Sequence, residues 1–250
     1  MAYVEGFVVA VPTANRQAYH EHANETATFL GEFGVTRMVE AWGDDIPDGK
    51  LNDFKGAVKA EEAETVVFSW FEYPSRKIRD EANRAMFADP RMKQIGASMP
   101  FDGKRMIFGG FDVFVDEGHG GAMGYADGYL VAVPAANRDA YHALAARMAP
   151  YFLELGALRV VEAWGDDVPE GKITDFSRAV LSKRDEAVVF SWVEWPSREV
   201  RMNGWKRMME DTGMGSQGET PFDAARMVYG GFEPIVDLPL GGKAPGRKVA

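Results

Sequence analysis

Tyr3-Val4-Glu5-Gly6-Phe7-Val8-Val9-Ala10-Val11-Pro12 is answered 122 residues later by Tyr125-Ala126-Asp127-Gly128-Tyr129-Leu130-Val131-Ala132-Val133-Pro134. Both are short β-rich runs closed by proline, which cannot donate to a strand ladder. The same offset returns Val39-Glu40-Ala41-Trp42-Gly43-Asp44-Asp45 as Val161-Glu162-Ala163-Trp164-Gly165-Asp166-Asp167, and Phe68-Ser69-Trp70 as Phe190-Ser191-Trp192. From Tyr3 to Arg79, 42 of 77 pairs are identical. Repetition of that length is duplication, and each copy is long enough to be a domain.

Each copy reads as β-α-β-β-α-β. Residues 5–11 form the first strand. Asn15 (Asn137 in the second copy) is placed to cap a helix whose apolar face runs Tyr19, Ala23, Thr26, Leu30, Phe33. Gly34 and Gly156 end that helix. Residues 37–42 and 66–73 are strands, Ser75 caps a second helix, and residues 105–115 are the last strand. This order predicts an α+β fold: two ferredoxin-like β-α-β-β-α-β repeats, each with helices on one sheet face and the other face bare. Two such halves can cover each other's bare face by closing into one barrel. The domain reading is therefore a first repeat at 1–115, a Gly-rich linker at 116–124, a second repeat at 125–240 and a flexible tail at 241–250.

Three strings carry a resemblance: Tyr3 to Pro12, Phe68-Ser69-Trp70-Phe71-Glu72-Tyr73-Pro74-Ser75, and Met99-Pro100-Phe101-Asp102-Gly103-Lys104-Arg105-Met106-Ile107-Phe108-Gly109-Gly110-Phe111. The chain resembles the YbaA-like family, bacterial proteins of unknown function. The resemblance implies a dimeric α+β barrel normally built from two chains, here supplied by one chain as an internal pseudo-dimer. In the second copy the third string is weaker, since Ala224-Ala225 replaces Gly103-Lys104.

Composition narrows the rest. The net charge of −10, from 28 Lys plus Arg against 38 Asp plus Glu, disfavours nucleic acid and anionic membrane surfaces as partners. The absence of cysteine excludes disulfides, thiol nucleophiles and Cys-based metal sites, and suits a cytoplasmic protein. Met1-Ala2-Tyr3-Val4-Glu5-Gly6 has no basic stretch followed by an apolar one, so no secretory signal is read there. The four histidines show no metal-ligand spacing and read as surface residues, so no metal and no cofactor are expected. The acidic loop from Asp44 to Asp53 lacks the calcium-loop order of ligands and reads as a solvated turn balanced by Lys50.

The candidate site comes from strand alternation. With Val39 and Ala41 toward the helices, Glu40 and Trp42 would face the barrel interior, joined there by Phe68, Trp70 and Glu72 and, in one of the two phases open to its strand, by Arg105. The second copy repeats the set as Glu162, Trp164, Phe190, Trp192, Glu194 and Arg226. Aromatic walls with a few convergent polar groups suit a small-molecule ligand, and paired carboxylates suit acid–base chemistry. The chain is thus expected to be a small-molecule-binding protein or cofactor-independent enzyme working in the inter-sheet cavity. The alternative is a non-catalytic assembly module whose barrel is a packed core. An open volume of about 300 Å³ between the sheets would separate the two. Self-association beyond the internal pseudo-dimer stays open.

Overall fold

The computed structural model describes residues 2–211 and 220–241. The tail read as flexible lies, beyond Gly241, outside the described residues. The first repeat contains β1 (Tyr3–Pro12), α1 (Arg16–Leu30), β2 (Arg37–Asp45), the single turn α2 (Phe54–Ala57), β3 (Glu64–Tyr73), α3 (Arg76–Ala88), α4 (Pro90–Ala97) and β4 (Ile107–Gly118). The second contains β5 (Tyr125–Pro134), α5 (Arg138–Glu154), β6 (Arg159–Asp167), the turn α6 (Phe176–Ala179), β7 (Glu186–Trp195), α7 (Arg198–Glu210) and β8 (Val228–Pro239). None of the described helices is long and apolar enough to cross a membrane.

The eight strands close into one antiparallel barrel in the order β1-β3-β2-β8-β5-β7-β6-β4. The seams between repeats are β2 on β8 and β4 on β6. Each seam carries two register irregularities, between Glu40/Ala41 and Gly43/Asp45 in one and between Gly110/Phe111 and Val113/Val115 in the other. Such bulges bend and twist a strand, as barrel closure requires. Closure leaves no unpaired sheet edge at the seams. β4 runs on to Gly118, so pairing with β6 absorbs the start of the stretch read as linker.

Alternation divides each strand between two cores. Inward go Val4, Val8, Val39, Ala41, Val66, Phe68 and Trp70, with Val161, Val188, Phe190 and Trp192 of the second repeat. Outward, under α1 and α3, go Tyr3, Val9, Val11, Met38, Trp42, Val67 and Tyr73. α1 buries Tyr19, Ala23, Ala27 and Leu30. Ala27 takes the place read for Thr26, whose hydroxyl donates to the His22 carbonyl at 2.8 Å. Gly34 ends this segment with φ +94°, a conformation side chains resist. Ser75 caps α3 by accepting from the Ile78 amide. Asn15 precedes α1 but does not cap it; its amide donates to the Pro100 carbonyl at 2.8 Å instead, tying α1 to the strand-leading loop.

The interior is filled. Phe54 of α2 and Phe176 of α6 plug one end of the barrel. Behind them Phe68 stacks on Phe190 at 4.4 Å, and Trp70 lies 4.6 Å from Trp192. Gly6 makes the Phe190 position possible: a Cβ there would stand 2.7 Å from the ring. The acidic loop is also tied down. Asp53 caps α2, Lys55 rather than Lys50 pairs with Asp48 at 3.1 Å, and Asp44 and Asp45 reach the other repeat through Tyr125 and Arg201 at 2.8 and 2.7 Å.

Candidate functional site

The residues expected to share one cavity separate onto different surfaces. Phe68, Trp70 and Glu72 face inward, as do Phe190, Trp192 and Glu194. Glu40 and Trp42, with Glu162 and Trp164, face outward under the helices. The phase of β2 is the reverse of the expected one: Val39 and Ala41 point inward. An unpaired carboxylate under the helices would be costly, but Glu40 is partnered there. Tyr19 donates to it at 2.6 Å, and Ser69 stands opposite on β3 and hydrogen-bonds it. Trp42 packs edge-on against Tyr19, with the Arg16 guanidinium 5.5 Å from its ring centre.

Arg105 and Arg226 join neither set. Each precedes its strand, in a turn held by Asp102 or Asp223, and binds the rim carboxylate Glu64 or Glu186 through two nitrogens. Glu72 and Glu194 are met instead by Arg37 and Arg159, at the barrel end opposite the α2–α6 plug. Arg37 binds Glu194 at 2.7 Å and Glu72 at 3.4 Å; Arg159 binds Glu72 at 2.8 Å and Glu194 at 3.4 Å. Trp70 and Trp192 donate their indole N–H groups to the same two glutamates. Asp237 and Asp116 complete the arginine pairing. These carboxylates are saturated with donors, so they clasp the repeats together.

Two clefts lie between sheet and helices, one per repeat. The first, of about 210 Å³, runs over Phe7, Tyr19, His22, Glu40, Ser69 and Phe101 and is roofed by Met92, Ile95 and Met99. The second, of about 250 Å³, runs over Tyr129, Tyr141, Leu144, Met148, Glu162, Ser191, Trp205 and Phe222. At each floor lies the same trio: Tyr19–Glu40–Ser69, and Tyr141–Glu162–Ser191 with Tyr141 donating at 3.0 Å.

Electrostatics sets these two carboxyls apart. Burial pushes Glu40 up to about 7, against the opposing pull of the Tyr19 and Ser69 hydrogen bonds. Glu162 is raised to about 7 for the same reasons, with Tyr141 and Ser191 opposing. The tyrosine hydroxyls are driven well above their ordinary range by burial and by the adjacent glutamate, so they stay protonated and donate. Among the described residues, neither cleft is lined by Lys or Arg. Each therefore offers a carboxyl poised near neutrality in apolar surroundings, able to accept or return a proton. Among the described residues, no group of three or more His, Asp or Glu is gathered to hold a metal ion.

Sequence reading missed Tyr19, Ser69 and their counterparts as polar partners, because each lies on an otherwise apolar face. Their identity between copies alongside Glu40 was the available signal. His22, read as a surface residue, lines the first cleft, and burial lowers its pKa. His20 bonds Asn24, His142 is exposed beside Phe114, and His119 lies in the connection after β4.

With the geometry established, comparison with known proteins adds kinship. The family model described as "Protein of unknown function (DUF1428)" matches twice, over residues 2–103 and 124–224. The uncharacterized protein YbaA of Escherichia coli (strain K12) is 61% identical over 117 residues, which are 47% of this chain and all of that protein. Among solved structures, one titled "Putative monooxygenase (FN1347)" from Fusobacterium nucleatum aligns with TM-score 0.57 at 13% identity, over 97% of this chain and 96% of that one. An anthrone oxidase-like protein aligns with TM-score 0.52 at 13% identity, over 100% and 95%. These two similarities are similarities of fold.

Proposed function

The chain belongs to the DUF1428 family, as a tandem pair of YbaA-like repeats, and from that premise we propose that it is a small-molecule-binding protein whose two helix–sheet clefts each present a carboxyl for proton transfer. The observation that carries this is the Tyr–Glu–Ser trio on the floor of both clefts. A glutamate kept for structure would be expected beside a cation, as Glu72 and Glu194 are beside Arg37 and Arg159. Glu40 and Glu162 have hydroxyl donors and open space instead.

A carboxyl near pH 7 can take a proton from a weak carbon or oxygen acid bound against it and hand it back, without a cofactor. The tyrosine and serine hydrogen bonds steady the carboxylate once it forms. The apolar walls exclude water and favour an aromatic or otherwise uncharged substrate. The oxidase and monooxygenase titles of the structural neighbours agree with this only by analogy of fold. We read each repeat as a ferredoxin-like plait that lends its inner face to the shared barrel and keeps its outer face for its own cleft.

Native mass spectrometry of freshly purified protein is expected to find one or two small molecules per chain. Ala23→Trp together with Ala145→Trp, which fill the clefts from α1 and α5, should abolish their capture. Retention of the same molecules by the filled variant, with an unchanged circular dichroism spectrum, would overturn the reading.

A further inference from the structure

The two clefts share their floor but differ in their walls. At equivalent places Phe7 becomes Tyr129, His22 becomes Leu144, Thr26 becomes Met148 and Asn83 becomes Trp205. Two of these changes, at Leu144 and Met148, remove polar groups from the cleft wall; Trp205, standing where Asn83 bonds Glu5, joins the second wall and spends its indole N–H on Asp127 at 3.0 Å. The change at Tyr129 runs the other way. It adds a hydroxyl to the wall of an apolar cleft, and that hydroxyl is shielded from solvent with no hydrogen-bond partner among the described residues. A buried orphan donor is destabilising, and Phe at the matching place in the first repeat shows that the fold does not require it.

Resting on the reading of the clefts as small-molecule sites, we propose that they have diverged, and that the second binds a flat, uncharged aromatic molecule bearing a carbonyl-type acceptor for the Tyr129 hydroxyl. Burial keeps this phenol protonated, so it donates. The walls of Trp205, Met148 and Phe222 suit a flat ring system. With Glu162 at the floor and no cationic side chain lining the cleft among the described residues, an anion is disfavoured. A volume of about 250 Å³ accommodates two fused rings.

The test is a matched set of probes on the full chain: 1-tetralone, tetralin, which lacks only the carbonyl, and 2-aminotetralin, which carries a cation. Binding is read by calorimetry, with Ala145→Trp as the control that locates it to the second cleft. The expected result is that 1-tetralone binds roughly five- to ten-fold more tightly than tetralin, the equivalent of one hydrogen bond of about 1–1.4 kcal/mol. Tyr129→Phe should erase that preference and leave tetralin unchanged. Equal binding of 1-tetralone and tetralin, or a preference that survives Tyr129→Phe, overturns the assignment of Tyr129 while the cleft remains a small-molecule site. Tightest binding of 2-aminotetralin replaces it with a carboxylate–cation site at Glu162. Binding of any probe that is indifferent to Ala145→Trp refutes the location, and no binding at all refutes the underlying reading.

Discussion

Phe68 and Phe190, the same residue of the two repeats, stack face to face at 4.4 Å with only 5° between their ring planes. The duplication meets itself at this point: each ring lies against the glycine of the opposite repeat, Gly6 under Phe190 and Gly128 under Phe68. The barrel is therefore a packed core shared by both copies, and the helix–sheet clefts lie outside it.

Phe190→Ala should destabilise the chain by about 3–5 kcal/mol, the range for removing a fully buried aromatic ring. Gly6→Ala should cost about 1–3 kcal/mol by overpacking, and much less in a Phe190→Leu background. Urea unfolding of wild type, the three single variants and the Gly6→Ala/Phe190→Leu double variant checks this. Strict additivity would mean that the close approach is not what restricts position 6.

Arg37 and Glu194 hold opposite repeats together at a barrel end where Glu194 is almost wholly buried. Arg37→Met should cost about 3 kcal/mol, because it strips a buried carboxylate of its shortest cationic partner. Cleft binding should be unaffected. A change below about 0.5 kcal/mol in chemical denaturation would show that Arg159 alone satisfies both glutamates.

Glu40 and Glu162 keep their protons in the native state up to about pH 7, whereas unfolded glutamate loses its proton near 4.5. The native state thus binds more protons across that window, so stability falls as pH rises from about 4.5 to 7. Each raised carboxyl contributes on the order of 3 kcal/mol below the window, lost on passing through it. Glu40→Gln combined with Glu162→Gln should flatten this limb of a stability-versus-pH curve. Below it the sign reverses: Arg226 holds Glu186 down to about 2, so its contribution disappears as acid protonates it. Identical limbs for wild type and the double variant between pH 5 and 7.5 would refute the assignment.

Expressed as separate chains, residues 1–118 and 119–241 should associate tightly, since the seams β2 on β8 and β4 on β6 and the aromatic core are shared. Sedimentation of the mixture is expected to give one heterodimer. Two stable monomers would contradict the shared core.

The sequence by itself determined the duplication, the order of the strands and of the long helices between them, and the way each half could cover the other, but not the plug turns α2 and α6. Local rules were enough there: Pro12 and Pro134 end strands, Ser75 starts a helix, Gly34 stops one, and the apolar periods repeat. It could not determine which way β2 faces. That strand is apolar on both sides, because Val39 and Ala41 meet the barrel interior while Met38 and Trp42 meet helix α1, and alternation between two buried faces carries no sign. Tertiary structure decided it, and with it whether Glu40 joined Glu72 or Tyr19. It also chose the partners of Glu72 and Glu194. Arg37 and Glu194 are 157 residues apart and meet only when the barrel closes, so no local spacing announced them, whereas the nearer Arg105 was drawn off to the rim by Glu64 and Asp102. The clefts arise in the same way: a carboxyl, a phenol and a hydroxyl from β2, α1 and β3 become a site only when helix and sheet enclose them together, and only that enclosure shifts the glutamate toward neutrality.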